Sequence, residues 1–548
     1  IYFISSHLNL RRFCMNRTRI AVLAAVLLIC MVPFTWATAQ GEASSDERVT
    51  IEMFMGNSGV PHPADLDPSD NWAIKIAEDY ANVDLIMEVP NYQEWATKHQ
   101  LLLASGNLPD IVHAQGKNDQ ENASLQGAWV DLDPYYQQSG VMKKRVSQVA
   151  WDLAANSEGL HYAVPMVMSS RDPGYGNIIR WDLLDEYNGG KYPGTIDGYI
   201  EFLRWIKDAY TGSVPLGSRF AWGNQLFVVG QVFFNWFGIN PYSWSVYNGN
   251  VESGFTRPEM KAALAVWKQC YEEGLLDQEF ATSDGARFYA NQLEKQTAFM
   301  TNATDQIIPG YTYKPEDGII RRFTPPLEEY PSAVVDEKYT WGFDIFPIAG
   351  HRTSIAASSK KIDRAWKVLE AFASDEMYDV VAWGREGKEY NIVNGERIPT
   401  DRLYLRDMED ADAHYWTLHL GIINGFWPTD VKYKVAEMRA PELWRAAYDS
   451  AKWTMDRARE NGLNLGSFIP ANPEVSKKSG EINPFISGVI AQVIMGQMSF
   501  DEFDNKVEEF EREFGFIYEF YEDYMNKNKD ELRSFGVKRS EERRVGKE

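Results

Sequence analysis

Cysteine is scarce in this chain, which contains only Cys14, Cys30 and Cys270. Cys14 and Cys30 fall in or before a predicted export signal, so the mature protein keeps Cys270 alone. A single cysteine can form neither an intramolecular disulfide nor a cysteine-based metal site. Cys270 shares an apolar helix face with Ala263 and Trp267, which predicts a buried and unreactive thiol.

Basic residues are few relative to acidic ones. The 55 Lys and Arg are outnumbered by 78 Asp and Glu, which gives a formal net charge of −23. Such a chain has no basic field with which to replace the counterions of a nucleic acid or of an anionic membrane surface, so both are excluded as partners.

Motifs of metal and cofactor chemistry are also missing. His351, His414 and His419 do not have the spacing of metal ligands. The sequence contains no phosphate-binding loop and no nucleophile elbow. We therefore predict that the protein has no cofactor and no metal.

The N-terminal region lacks an apolar run long enough to span a membrane. Residues 20–32 are apolar, but a transmembrane helix needs roughly 20 such residues. Arg17 and Arg19 precede this run and the small residues 37–39 follow it. This pattern predicts an export signal at residues 15–39 that is cleaved before Gln40.

Both ends of the chain need separate interpretations. A lipid anchor on Cys30 is the less favoured alternative to cleavage, because Ile29 occupies a position where lipidation motifs have a small residue. Residues 1–14 precede a plausible initiator Met and are interpreted as upstream sequence. The basic tail within residues 531–548 differs from the acidic chain before it and is predicted to be disordered.

Aromatic residues, in contrast, are abundant. The chain has 18 Trp, 28 Tyr and 28 Phe. Many of these rings must form core, yet aromatic faces also pack against the apolar faces of sugar rings. The composition is therefore compatible with a carbohydrate ligand.

The segment that follows the signal alternates between strand and helix patterns. Residues 49–55 and 84–89 are typical of strands, and residues 71–81 and 92–103 of helices; a further strand starts after Pro109. This order predicts a mainly parallel sheet with helices on both faces.

Ligands of such sheets bind at the carboxyl ends of the strands. The loops after the first and third strands contain Asn57 and Gln115, which we therefore predict to lie at a ligand cleft. Ordinary turn chemistry is the alternative for both loops.

The stretch LASGNLPDIV at residues 103–112 resembles the SGdlPDi segment of the bacterial extracellular solute-binding proteins (family 1), in particular the large sugar-importer branch. These proteins are the substrate-capturing subunits of ABC importers. Further segments resemble landmarks of the same family in the same order, at residues 129–135, 159–165, 177–184, 258–277, 296–300, 354–372 and 383–390.

The resemblance implies a two-lobed α/β fold of the type II periplasmic-binding-protein class. Each lobe is expected to be a mainly parallel sheet flanked by helices, with hinge crossovers between the lobes. The implied boundaries are 46–165 for the first part of lobe 1, 166–320 for the first part of lobe 2, 325–400 for the return to lobe 1, and 401–530 for C-terminal helices of lobe 2.

The resemblance also implies a function. We expect an exported protein, periplasmic or at the cell surface, that captures an oligosaccharide between its lobes and delivers it to the permease subunits of an ABC importer. It is expected to be a monomer and to catalyse nothing.

Eight residues are candidates for contact with the ligand. Core packing is the alternative for each ring, and a surface ion pair is the alternative for the charged side chains. The candidates are Asn57, Gln115, Trp222, Trp236, Trp341, Asp344, Trp383 and Arg385.

Three other interpretations were weighed. A secreted glycoside hydrolase would need two carboxylates about 5 to 10 Å apart across a cleft, and the motif order does not favour it. An adhesion protein would show repeats or a stalk-like composition, which this chain lacks. Asp65, Asp67 and Asp70 resemble part of a calcium loop, but helix capping by Asp67 explains them better.

Overall fold

A computed structural model describes residues 47–528 and 530, except 57–66, 91, 115–117, 168–174, 222–224, 228–230, 248–249, 304–306, 310–316, 335–348, 405–421, 424–428, 462–468 and 470–471. The chain divides into two units, Ile1–Arg48 and Val49–Glu548. Only Glu47 and Arg48 of the first unit are described, so the predicted signal and the basic tail lie outside the described residues.

The first sheet has five strands: β1 (Val49–Phe54), β2 (Val83–Glu88), β3 (Ile111–Ala114), β4 (Val164–Val167) and β12 (Ala349–Ile355). Their order is β2-β1-β3-β12-β4. β1 is parallel to β2 and to β3, whereas β12 is antiparallel to β3 and β4. Helices α1 (Trp72–Ala81) and α2 (Tyr92–Ser105) connect the first three strands, so the predicted strand-helix alternation is confirmed.

The second sheet consists of β5 (Tyr175–Arg180), β10 (Phe299–Ala303) and β11 (Arg321–Phe323). β5 lies in the middle and pairs antiparallel with both neighbours. The mainly parallel sheet expected for each lobe is therefore wrong for the described strands of this one. An apolar strand pattern shows that a segment is extended, but strand direction depends on the connections, which the pattern does not encode.

In the described part of the chain, three hairpins stand outside the two sheets: β6 (Phe220–Ala221) with β7 (Gln225–Leu226), β8 (Trp244–Tyr247) with β9 (Asn250–Ser253), and β13 (Tyr390–Val393) with β14 (Glu396–Pro399). The 3₁₀ helices of the same residues cover Gly254–Thr256 and Phe280–Thr282.

The remaining helices form layers around the sheets. Among the described residues, no helix has the length and apolar content that a membrane crossing requires. The helices are α3 (Asn118–Leu125), α4 (Asp133–Gln138), α5 (Gly140–Arg145), α6 (Gln148–Asp152), α7 (Trp181–Asn188), α8 (Ile196–Ala209), α9 (Val232–Trp236), α10 (Glu259–Glu272), α11 (Gly285–Glu294), α12 (Ile362–Ala373), α13 (Asp375–Trp383), α14 (Asp401–Tyr404), α15 (Thr429–Arg439), α16 (Pro441–Asn461), α17 (Pro473–Ile494), α18 (Phe500–Phe514) and α19 (Phe516–Lys527).

Each sheet has its own hydrophobic core. The first core surrounds the first sheet and includes Ile51, Leu85 and Trp366. The second core is larger and includes Trp236, Trp267 and rings of the C-terminal helices such as that of Phe510. Two separate cores are what a two-lobed chain requires, because each lobe must bury its own apolar surface.

At two predicted lobe boundaries, some residues are buried in the core of the other lobe. Leu327, within the predicted return to the first lobe, packs in the second core. Residues near the start of the predicted C-terminal helices pack in the first core, because their apolar side chains cover its helices. They are Leu403, Tyr404, Ile422, Ile423, Val431 and Val435.

Local capping follows the sequence in most places. The Thr195 side chain accepts a hydrogen bond from the Gly198 N–H at 3.0 Å and so caps α8, as its position predicts. Asp67, in contrast, does not cap α1. The Asn71 side chain accepts from the first-turn N–H groups of α1, while Asp67 accepts from the Ser69 N–H in the preceding turn. The capping prediction was wrong by four residues because both side chains suit a cap.

Candidate functional site

Four strands of the first sheet end at one edge, which we call the carboxyl edge. β1 to β4 all end there, and β12 begins there because it runs the opposite way. Residues 168–174 follow β4 and residues 335–348 precede β12, so both of these connections to the second sheet leave from the carboxyl edge. This edge therefore faces the second lobe and is where an α/β sheet binds its ligand.

Trp95 lies on α2 close to the carboxyl end of β1. A Cβ atom at Gly56 would stand 2.9 Å from the Trp95 Cδ1 atom, so the indole can occupy this position only because residue 56 is glycine. The indole is stacked on the His99 imidazole, with the ring centroids 5.1 Å apart, and His99 in turn is stacked near Phe54. Trp95 itself is only partly buried.

The nitrogen atoms of the Trp95 and His99 rings are buried without hydrogen bonds to the described residues. The Trp95 Nε1 atom and both ring nitrogens of His99 are buried and have no hydrogen-bond partner among the residues that the structure describes. Burial lowers the pKa of His99, which favours its neutral form. Buried polar groups are nearly always hydrogen-bonded in native proteins, so these atoms mark a place where a further partner is expected.

Two histidines meet between β3 and β12 at the same edge. The His113 Nδ1 atom is 2.9 Å from the Thr353 hydroxyl, and its Nε2 atom is 3.2 Å from the His351 Nδ1 atom. The neighbouring Arg352 is buried and donates to the backbone carbonyl of Leu153 at 3.3 Å. This part of the edge therefore presents hydrogen-bonding groups that are already fixed in position by the strands.

Asp110 lies at the opposite, amino edge of the first sheet. Its carboxylate accepts from the Glu52 N–H at 3.0 Å, the Ser359 hydroxyl at 2.6 Å and the Lys361 ammonium at 2.9 Å. Burial acts to raise the pKa of Asp110, but these three hydrogen bonds outweigh it and hold the pKa below its usual value. Asp110 thus joins three separate chain segments and has a structural role.

Five of the eight predicted ligand residues lie outside the described residues: Asn57, Gln115, Trp222, Trp341 and Asp344. Trp236, Trp383 and Arg385 are described. Ligand contact stays a prediction for all eight, and the surroundings of these three are given below.

Trp236 lies in the second core. It is only 3% exposed, and its ring is stacked on Tyr199 with centroids 4.5 Å apart. The preceding Asn235 is buried and donates to the Asn177 side chain at 2.9 Å, which joins α9 to β5. These surroundings favour the core alternative for Trp236.

Trp383 and Arg385 lie beside α1. The Arg385 guanidinium stands 4.4 Å from the ring centroid of Trp72, the first residue of α1. It also pairs with the fully buried Glu389 at 2.8 Å. Burial acts to raise the pKa of Glu389, but hydrogen bonds from Arg385 and Arg402 hold it below its usual value. Arg385 therefore neutralises a buried carboxylate, which is a structural role that the surface ion-pair alternative did not foresee.

Trp383 is 8% exposed and lies in the first core. The Lys434 ammonium of α15 stands 5.5 Å from the centre of its ring. Both Trp383 and Arg385 therefore lie close to the start of α1, which is at the carboxyl edge because β1 ends there.

A cavity of about 520 Å³ lies between α2 and the strands β1 and β2. It extends from the turn at Gly106–Pro109 and Ser358 to Phe54 and Glu88, the last residues of β1 and β2. No group of three or more His, Cys, Asp or Glu side chains placed to hold a metal ion occurs within the described part of the chain.

Sequence reasoning missed two features of the carboxyl edge. The sequence predicted a helix over residues 92–103, and only the fold shows that Trp95 and His99 on this helix lie at the carboxyl edge. His113 and His351 are 238 residues apart, so no local spacing could reveal their contact.

No protein-family model matches the chain. Two proteins of Bacillus subtilis (strain 168) are similar to it over most of its length. Lipoprotein LipO is 25% identical over 535 residues, covering 90% of this chain and 95% of LipO. The polygalacturonan/rhamnogalacturonan-binding protein YtcQ is 23% identical over 495 residues, covering 87% of this chain and 91% of YtcQ.

Solved structures show the same fold. An HMO-binding ABC-transporter-associated solute-binding protein from Bifidobacterium longum infantis superposes with a TM-score of 0.64 at 16% identity, covering 87% of this chain and 99% of that one. The predicted resemblance to extracellular solute-binding proteins and the predicted two-lobed type II fold are therefore confirmed.

Proposed function

We propose that this chain is the exported substrate-binding protein of an ABC importer, which captures an oligosaccharide between its two lobes and delivers it to a membrane permease. The observation that carries the proposal is the carboxyl edge, from which two connections to the second lobe leave and where Trp95 presents a partly exposed ring. The names of the galacturonan-binding and HMO-binding proteins support a carbohydrate as the ligand.

Sugar binding at this edge would use two kinds of contact. The apolar face of a sugar ring would pack on the Trp95 indole, and sugar hydroxyls would hydrogen-bond to polar groups of the edge.

Closure of the lobes would couple binding to delivery. Each lobe has its own core, so the lobes can move as rigid bodies about the connections between them. A ligand that contacts both lobes would shift the equilibrium towards the closed form by its differential affinity for that form. The permease would then recognise the closed, loaded protein.

We also propose that the protein is exported and monomeric. It would be free after signal cleavage, with a lipid anchor as the less favoured alternative. The similarity to lipoprotein LipO supports export to the periplasm or cell surface. The absence of catalysis is also proposed. The names of the two carbohydrate-binding proteins describe binding, and they favour it over the glycoside hydrolase alternative.

Calorimetry and scattering on the purified protein test the proposal. Tetragalacturonate is chosen as an acidic probe because of the galacturonan-binding relative, and maltotetraose is the neutral probe of the same length. We expect micromolar or tighter binding of at least one of them, a smaller radius of gyration in the bound sample, and an intact sugar after prolonged incubation. Binding of neither sugar would contradict the proposal, and shortened sugar products would establish the hydrolase alternative.

A further inference from the structure

A third connection between the lobes is helical. α15 belongs to the first core through Val431 and Val435. α16 packs Ala447 and Ala451 against residues of β5, β10 and β11, in the second sheet. Helical hydrogen bonding continues across the junction, since the Trp444 N–H donates to the Ala440 carbonyl at 2.9 Å.

Three aromatic side chains, Tyr433, Trp444 and Tyr448, meet at this junction, and we call them the aromatic platform. Trp444 and Tyr448 are one helical turn apart on α16 and stack with their centroids 5.2 Å apart and their planes 15° apart. Tyr433 of α15 meets both edge-on, at 6.4 Å from Trp444 and 5.8 Å from Tyr448.

The platform differs from the aromatic packing of the second core in its exposure. Trp236 is 3% exposed, as expected for a core ring, whereas Tyr448 is 36% exposed. A stacked pair of rings that keeps one face open to solvent exposes apolar area at a cost in free energy. A ligand that covers this face would remove the cost.

The platform lies at a junction between the lobes, because α15 packs in the first core and α16 packs on the second sheet. An oligosaccharide held between the lobes would therefore pass close to this junction. Lys434, the residue after Tyr433, stands over the ring of Trp383, so α15 also contacts the end of α13.

We infer that the aromatic platform is a subsite for one sugar ring of a longer oligosaccharide, with the apolar face of that ring packed on Tyr448. The inference rests on the proposed function. Because the platform and Trp95 lie on different helices, the two would contact different sugar residues of one ligand. The platform would therefore favour long ligands over short ones.

Calorimetry with tetragalacturonate, digalacturonate, maltotetraose and maltose tests this subsite. We expect Tyr448→Ala to weaken binding of whichever tetrasaccharide the wild type binds by about tenfold or more, and binding of the matching disaccharide by less than twofold. Tyr448→Phe keeps the ring and should bind within twofold of the wild type. The melting temperature without sugar should be unchanged in both variants.

Tyr80→Ala is the matched control, since Tyr80 is 42% exposed at the end of α1 and therefore lies towards the amino edge. It should not change the affinity for any of the four sugars. Unchanged tetrasaccharide affinity in Tyr448→Ala, or an equal loss for both chain lengths, would overturn the subsite while leaving the proposed function intact. A wild type that binds neither tetrasaccharide would instead contradict the proposed function, and the subsite with it.

Discussion

The two lobes bury their apolar surface with different side chains. Aliphatic residues such as Ile51 and Leu85 line the strands of the first core, and helices join its parallel strands in chain order. The second core is built around rings, with Trp267 in contact with Phe227 and Phe233 beside an antiparallel sheet. The first three strands of the first lobe therefore follow local periodicity, whereas the sheet and core of the second lobe depend on contacts between distant segments.

The largest expected effect belongs to the aromatic core. Trp267 is fully buried, and its ring centroid lies 4.4 Å from that of Phe227 and 4.8 Å from that of Phe233. Trp267→Ala should lower the free energy of unfolding by about 3–5 kcal/mol, because it removes the ring and leaves a cavity. Urea unfolding of the purified protein measures this loss. As the control, Tyr80→Ala should change the free energy of unfolding by less than about 0.5 kcal/mol. If Trp267→Ala lowered it by less than about 1 kcal/mol, the aromatic rings would not be the main stabilising contacts of the second core.

The next effect concerns the polar anchor of the first sheet. Asp110→Asn removes a charge that pairs with Lys361, and it should lower the free energy of unfolding at pH 7 by about 1–3 kcal/mol. The folded-state pKa of Asp110 lies below its unfolded value of about 4. Its charge therefore stabilises the fold above pH 4, and this contribution is lost as the pH falls through the folded-state pKa.

Urea unfolding at pH 7, 5, 4 and 3 measures this dependence. Between pH 5 and pH 3 the wild type should lose more stability than Asp110→Asn does. Asp375→Asn serves as the control, because Asp375 is exposed and its ion pairs with Lys144 and Arg145 are open to solvent. Equal losses in the wild type and in Asp110→Asn would show that Asp110 is not the anchor that the contacts indicate.

The smallest effect on stability among these variants is expected at Gly56. In Gly56→Ala the new methyl group would lie 2.9 Å from Trp95 and should displace the indole from the carboxyl edge. We expect about fivefold weaker binding of the tetrasaccharide bound by the wild type, and a melting temperature within a few degrees of the wild type. Gly140→Ala adds a methyl group where no atom lies within 4 Å, and its affinity should be unchanged. Undiminished binding by Gly56→Ala would remove Trp95 from the site.

Prediction from sequence worked best where neighbours in the chain decide the structure. The strand-helix order of residues 49–103 and the buried thiol of Cys270 follow from local spacing, and both are confirmed. The prediction failed at Asp67, because an Asn four residues later competes for the same role. It also failed for strand direction in the second sheet, which depends on how segments more than a hundred residues apart are connected.

The role of individual rings was the hardest to predict. Trp236 and Trp383 were candidates for ligand contact, which stays a prediction, and both are less than a tenth exposed. The contact between Tyr433, Trp444 and Tyr448 was not predicted, because spacing on two helices does not show which faces meet. A ring has the same apolar surface in a core as in a binding site, so its identity alone does not separate the two.

The sequence by itself determined the α/β fold class through the strand-helix order of its N-terminal region. The ordered motifs carried the resemblance to extracellular solute-binding proteins. Both depend on residues that are close together in the chain. Tertiary structure alone decided which rings are core, that Arg385 neutralises the buried Glu389, and that His113 meets His351. These outcomes depend on burial and on contacts across hundreds of residues, and both arise only when the chain has folded.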